Sequence, residues 1–570
     1  MRKKLPVFLT LFFACLLTLY ACRCLSAEDE DSLFRSFTLD LFRQEVSAGT
    51  ITLHYTLEHP ETYGIQETSP SLGSFETDGS AASAAAENTL ALLNQFQYQD
   101  LSSENQLTYK VLASYLETAL SGASYALYEE PLSPLTGIQA QLPVLLGEFP
   151  VRSAEDLDIY LTLLEQIPPY FESLIAFEQA KAKEHLFMTR TNAEKIIEEC
   201  SSFTIPGDDH YLFSAFETKL EQAGSLSDRQ KEAYREQHRQ FMYSCVFPSY
   251  NRLASALSSL KQTGTNSGGL CYFPDGKRYY EYIVKRDTGS SRTVPQLQTL
   301  TQKQIQEDLS AMQTVLPSGQ SETNTSLVLK NADPKHILST LKEETRDDFP
   351  SLPDTDVKVK YVQEEMEEFS SPAFYMVPAL DQTDENVIYI NEGHLPDDLT
   401  LFTTLAHEGY PGHLYQNVYY ASTDPDPIRS LLNFSGYTEG WATYAEMMSY
   451  YISGLSKDAA ILEQRNASVI LGLYALADMG IHYDGWSLVE TVSFFRSFGI
   501  TDTDTIQQIY DLIIADPANY LKYYIGYVEF LELKKDAIET WGKDFTQKRF
   551  HRTVLDTGPA PFSILADTLQ

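Results

Sequence analysis

The sequence predicts a mainly α-helical protein with a small β-sheet, and three observations carry that prediction. Apolar residues recur at spacings of three and four over long stretches, among them Ala86 to Tyr98, Gln106 to Leu120, Ala154 to Ala182 and Asp228 to Lys261. Breakers separate these stretches at Pro131-Leu132-Ser133-Pro134, at Pro206-Gly207 and across Thr263 to Gly269. Strand signals gather in one place only, where Val357, Val359 and Tyr361 alternate with lysines and Asn386 to Asn391 forms a short β-rich run. No internal repeat supports a solenoid.

Taken in order, the chain opens with Arg2, Lys3 and Lys4, followed by an apolar run of 16 residues from Leu5 to Tyr20. A positive start and an apolar stretch shorter than a membrane span read as an export leader over residues 1–21. The run ends at Leu19-Tyr20-Ala21-Cys22, similar to a bacterial lipobox, so Cys22 is expected to carry a lipid that anchors the mature chain at a membrane. Cleavage after Ala27, giving a free secreted protein, is the rival. Either route places the protein outside the cytoplasm. Residues 28–262 follow as an N-terminal helical region, and the glycine-rich Thr263 to Gly269 segment separates them from a catalytic region over residues 270–570.

A 570-residue chain with 43% hydrophobic content buries at least one large core. Its formal charge of -37 repels nucleic acid and anionic membrane surfaces, which excludes nucleic-acid partners and leaves the lipid as the one expected link to a membrane. Cys200, Cys245 and Cys271 remain after the leader; they lack metal-site spacing, receive no catalytic role, and leave room for one disulfide at most. The thirty-six tyrosines read chiefly as core residues, with Tyr523, Tyr524 and Tyr527 the exceptions, expected to line a substrate groove.

The chemistry concentrates downstream of the strands. Leu399, Phe402, Leu405 and Ala406 form one apolar helical face that leads into His407-Glu408-Gly409-Tyr410-Pro411-Gly412-His413. A zinc hydrolase needs imidazoles and usually a carboxylate on the metal, an open position for water, and a free carboxylate to take that water's proton. His407, His413 and Glu439 supply the ligands of such a site and Glu408 the base. The histidines stand six apart, and six residues of regular helix turn about 600°, which puts the second imidazole about 240° from the first. Chelation therefore requires Pro411 and Gly412 to break the helix and swing His413 back.

A lone His-Glu pair is more often a helix-end histidine beside a solvated carboxylate. Here a second helix starts near Gly436 with Glu439 in its first turn, and Glu446 lies seven residues on, on about the same face. A glutamate 26 residues after His413 is what a zincin with a glutamate third ligand places on the neighbouring helix. His482 is expected to stabilise the oxyanion, with Asp478, four residues earlier, holding its imidazole; Tyr523 is the rival donor.

On these residues the chain resembles the bacterial domain of unknown function 885 family. The resemblance rests on Thr404 to Gln416 and the Glu439 segment, with support from Pro274-Asp275-Gly276, Tyr279-Tyr280, Asp478 to His482, Trp486, Tyr523, Gly526, Phe550-His551, Gly558 and Pro561. It implies a zincin-like helical metallopeptidase architecture with a deep groove and bound Zn2+, and it adds His551 to Glu446 and Asp478 as residues flanking the metal or the substrate. Arg552 departs from the family pattern, which has aspartate there, and Tyr524 and Tyr527 replace a more polar pattern. The function expected is a zinc metallopeptidase acting on peptides. The alternatives are a hydrolase of small non-peptide amides and an inactive, lipid-anchored binding protein, the last disfavoured by the intact His407-Glu408 pair.

Overall fold

The computed structural model describes residues 29–570 apart from 67–68, 135, 317–326, 363–366, 368–370 and 396. Cys22 and Ala27 lie outside the described residues. The protein is mainly helical, with one three-stranded mixed sheet. Among the described residues no helix is long and apolar enough to cross a membrane.

The long apolar periodicities become helices at Ser80–Leu93, Ser103–Gly122, Ala154–Lys183 and Asp228–Leu260, the last interrupted by a π-helical turn at Met242–Val246. Pro248 explains the interruption. It lacks an N–H to donate and its ring crowds the preceding turn, and a π-turn absorbs both defects without ending the helix. Ser153 caps the Ala154–Lys183 helix through a reciprocal bond pair with Asp156.

Two large apolar cores result. Side chains between Leu33 and Leu116 pack with those between Leu270 and Leu569 in one core, while those between Leu132 and Leu257 form another. Cys200, Cys245 and Cys271 are all unpaired thiols.

The sheet joins β1 (Asp356–Tyr361), β2 (Ala373–Met376) and β3 (Glu385–Ile390) in the order β1-β3-β2. β1 runs parallel to β3 with Val359 opposite Ile388, and β2 runs antiparallel to β3 with Tyr375 opposite Ile388. β1 and β3 answer the two strand signals in the sequence. β2 is a strand the alternation does not announce, because Pro372 and Pro378 confine it to four residues. It forms an edge of the sheet, beside the segment that holds His407 and Glu408.

Candidate metal centre

The Asp398–Glu408 helix starts at an Asp397 cap and buries Phe402, Leu405 and Ala406, which leaves His407 and Glu408 on its last turn. The chain then breaks. Gly409 and Gly412 adopt non-helical conformations, and a new helix begins at His413 and runs to Ala421. A side chain at Gly412 would meet the His407 carbonyl oxygen at 1.7 Å, so only glycine lets the chain fold back this tightly. The fold-back delivers what a continuous helix forbids: the two imidazole rings lie 4.9 Å apart, crossed at 80°.

The Ser435–Ser449 helix supplies the carboxylates. Glu439 stands just past its first turn, and Glu446 follows on the same face. Glu439 Oε2 lies 3.4 Å from His413 Nε2 and 3.7 Å from His407 Nε2. Glu446 Oε2 accepts from His407 Nδ1 at 3.0 Å, which commits Nδ1 as a donor and turns Nε2 into the pocket. Trp441, fully buried on the same helix, donates its indole N–H to the Pro411 carbonyl at 2.8 Å and so ties the fold-back to the carboxylate helix.

The Asn519–Trp541 helix crosses the Ser435–Ser449 helix at a glycine contact. A side chain at Gly526 would strike the Gly436 oxygen at 2.2 Å, and one at Gly440 would strike the Gly526 backbone at 2.4 Å. This close approach brings Tyr523 over the pocket, its ring 6.4 Å from that of His407. Glu408 points to the sheet, where Oε2 accepts the Tyr375 backbone N–H of β2 at 2.9 Å.

His407, Glu408 and His413 place one ligand atom each within 4.8 Å of one another, a group that can hold a metal ion. Glu439 is a further carboxylate beside this group. It touches both imidazoles, whereas Glu408 is engaged by Tyr375. Ligands on a tetrahedral zinc with bonds of about 2.0–2.1 Å lie about 3.3 Å from one another. The 3.4 and 3.7 Å separations lie near that spacing.

The electrostatics favour a cation. Burial opposes charge on His407, but bonds to Glu439 and Glu446 and the Glu408 charge override it and hold the imidazole well above the ordinary histidine range. Burial likewise opposes ionised Glu439, yet His407 and His413 hold that carboxyl far below the usual carboxylate range. Burial, then the charges of Glu439 and Glu408, push the Tyr523 phenol well above its ordinary value, so it keeps its proton.

Other expected site residues lie elsewhere. His482 is almost fully buried; its Nδ1 accepts the Leu270 N–H at 3.1 Å and its Nε2 donates to the Ile513 carbonyl at 2.8 Å. Both ring nitrogens are consumed, so the expectation that His482 donates to an oxyanion is corrected. Burial depresses its basicity to about 4. Asp478 does not hold that imidazole either, because the chain turns π-helical over Gly480–Asp484 and the four-residue alignment of an α-helix is lost. Its carboxyl accepts instead from the Tyr280 hydroxyl and the Ala518 N–H.

Tyr524 and Tyr527 are core residues and not groove residues. Tyr524 packs against Gly472, and the Tyr527 hydroxyl accepts from Gln464. Burial on the far side of their helix decides this, since only the Tyr523 flank faces the metal pocket. His551 is fully buried with Nδ1 on the Asp348 carbonyl and Nε2 on the Tyr444 hydroxyl; its ring stacks on Phe349 at 4.0 Å and meets Trp441 edge-on. It touches the carboxylate helix through Trp441 and Tyr444. Sequence reasoning missed the Tyr375 N–H and the Trp441 indole bond. A β-prone Ala373 to Met376 between prolines was the one available signal for the first.

Residues 61–569 match the family described as "Bacterial protein of unknown function (DUF885)". No curated protein matches the chain. Solved structures share the fold, two of them described as lipoproteins. One, described as "the putative lipoprotein from Colwellia psychrerythraea", aligns with a TM-score of 0.83 at 19% identity over 95% of this chain and 98% of its own. The other, "a putative lipoprotein of unknown function from Shewanella oneidensis", aligns with a TM-score of 0.66 at 16% identity over 94% of this chain and 99% of its own. The chain belongs to the DUF885 family.

Proposed function

We propose that this DUF885 protein is a zinc-dependent hydrolase of zincin-like architecture that cleaves peptide bonds. The observation that supports the reading is that His407 Nε2 and His413 Nε2 approach Glu439 Oε2 to 3.7 and 3.4 Å, the three residues coming from three separate helices. These three residues would hold the metal, which when bound supplies a Lewis acid that polarises a carbonyl and acidifies water. Glu446 keeps the His407 Nδ1 proton in place and so fixes the tautomer and orientation of the ring.

Glu408 is the base. The Tyr375 N–H anchors Oε2, and Oε1 is the atom left to take the proton of the attacking water and pass it to the leaving nitrogen. Tyr523 retains its phenolic proton in this acidic pocket and donates it as a hydrogen bond to the carbonyl oxygen as negative charge develops there. A peptide is favoured over a small amide because β2 is a sheet edge beside Glu408: an extended peptide can add to that edge and bring its carbonyl to the base.

The experiment is elemental analysis of purified protein with and without chelator, joined to a peptide-library assay of the wild type and Glu408→Gln. Stoichiometric zinc in both proteins, with turnover in the wild type only, is the expected result. A Glu408→Gln protein that cleaves at the wild-type rate removes the mechanism. Anchoring through a lipid on Cys22 is proposed alongside, supported by the leader sequence and by the descriptions of the two structural relatives. An unmodified N-terminus at Glu28 in mass spectrometry would exclude the anchor.

A further inference from the structure

The Asp478 to His482 block is spent on neither the metal nor the substrate, yet it grips one short segment from several directions. His482 Nε2 donates to Ile513 O, near the end of the Thr503–Ala515 helix. The Ser133 hydroxyl donates to Ala515 O at 3.1 Å, and Thr136 Oγ1 donates to Asp516 Oδ2 at 3.3 Å. Asp478, fully buried, accepts the Ala518 N–H with both carboxyl oxygens at 3.2 and 3.1 Å, and the Tyr280 hydroxyl with Oδ1.

Ala518 needs that grip. It is the residue before the Asn519–Trp541 helix, it sits at φ +66° in the left-handed region, and no side chain caps the helix behind it. An L-alanine holds this conformation only where its surroundings impose it. The consequence reaches the metal pocket, because Tyr523 lies five residues further on, about 7.5 Å along the same helix axis. Whatever fixes the first turn fixes the direction of the phenol.

We propose that Asp478 is a positioning residue: by accepting the Ala518 N–H it sets the left-handed entry of the Asn519–Trp541 helix and thereby aims Tyr523 at the metal pocket. Burial pushes the Asp478 carboxyl up to about 8, so at neutral pH the group is largely a neutral acid, whose near-isostere is asparagine. The proposal rests on the hydrolase reading for the use made of Tyr523, and its test separates the two.

In full-length, zinc-loaded protein, Asp478→Ala is expected to speed amide hydrogen exchange across residues 516–523 by about tenfold or more. It is also expected to lower kcat about tenfold while KM and bound zinc stay unchanged. Asp478→Asn keeps an oxygen to accept the Ala518 N–H, so exchange and kcat stay near wild type. In a Tyr523→Phe background, Asp478→Ala lowers kcat no further, since the residue it aims is already disabled. Unchanged exchange in Asp478→Ala overturns the proposal, as does an equal loss of kcat in both backgrounds. If the alanine variant does not fold, a folded Asp478→Asn with loosened exchange overturns it as well. Loosened exchange in Asp478→Ala, protected exchange in Asp478→Asn and no hydrolysis of any peptide by the wild type would support the mount while sinking the hydrolase.

Discussion

The His407 and His482 regions are built from the same materials and end as opposites. Each places a histidine and a carboxylate where a helix loses its regular form, at Gly409 to Gly412 in one and at the π-helical Gly480–Asp484 in the other. Around His482 backbone groups claim both ring nitrogens, and burial leaves His482 and Asp478 as neutral partners of the main chain. Around His407 one nitrogen goes to Glu446, while Nε2, with that of His413, faces Glu439 in a partly exposed pocket. The lesson is an accounting one: a histidine becomes available for chemistry when a ring nitrogen remains after the fold has taken its share.

The largest expected effect that would break this contrast is metal loss. His413→Ala removes one of two imidazoles, and purified protein should retain no stoichiometric zinc and show no turnover, whereas His482→Ala should retain both. Zinc content by elemental analysis checks the pair; equal metal loss in the two variants would erase the distinction. Next in size is Glu408→Gln, expected to lower kcat by about 10²–10⁴-fold with the metal still bound, the range for a positioned general base. Single-turnover kinetics on a cleaved peptide measure it.

A smaller effect is expected at Glu446. Glu446→Gln weakens the hold on His407 Nδ1 and should reduce zinc affinity about 10–100-fold, read by competition with a chelator. For His482→Ala the expected cost falls on stability: two backbone groups lose their buried partner, for roughly 2–4 kcal/mol in denaturant unfolding. Zinc affinity should be unchanged.

The remaining effect is a matter of pH and sharpens the contrast from the buried side. Asp478 has a folded value pushed up to about 8 by burial, against an ordinary 3.8. The folded state therefore binds the extra proton, and the stability linked to it is complete below about pH 4 and lost as pH rises through about 8. His482 has the opposite sign: burial lowers it to about 4 from 6.5, so its contribution is complete above about pH 6.5 and lost as pH falls through about 4. Asp478→Asn should flatten the decline in stability between pH 5 and pH 8, measured by denaturant unfolding at several pH values. A slope identical to wild type would show that Asp478 does not carry the buried proton.

The sequence by itself determined the helical class, the strands β1 and β3, and the segment in which the candidate site lies. It also required the helix to break between His407 and His413, because a six-residue spacing on a regular helix points the imidazoles apart while Pro411 and Gly412 permit a fold-back. The seven-residue relation of Glu439 to Glu446 was legible for the same reason: both follow from helical geometry within one element. Only the tertiary structure decided which polar residues keep a free atom. His482 is silenced by Leu270 and Ile513, His551 by Asp348 and Tyr444, and Tyr524 and Tyr527 by the core, while Tyr375 reaches Glu408 from a strand too short to announce itself. Most of these partners are backbone groups from distant parts of the chain, and a backbone N–H or carbonyl bears no mark in the sequence of what it will bind. Local spacing fixes the direction in which a side chain leaves its helix; what waits there is settled by packing.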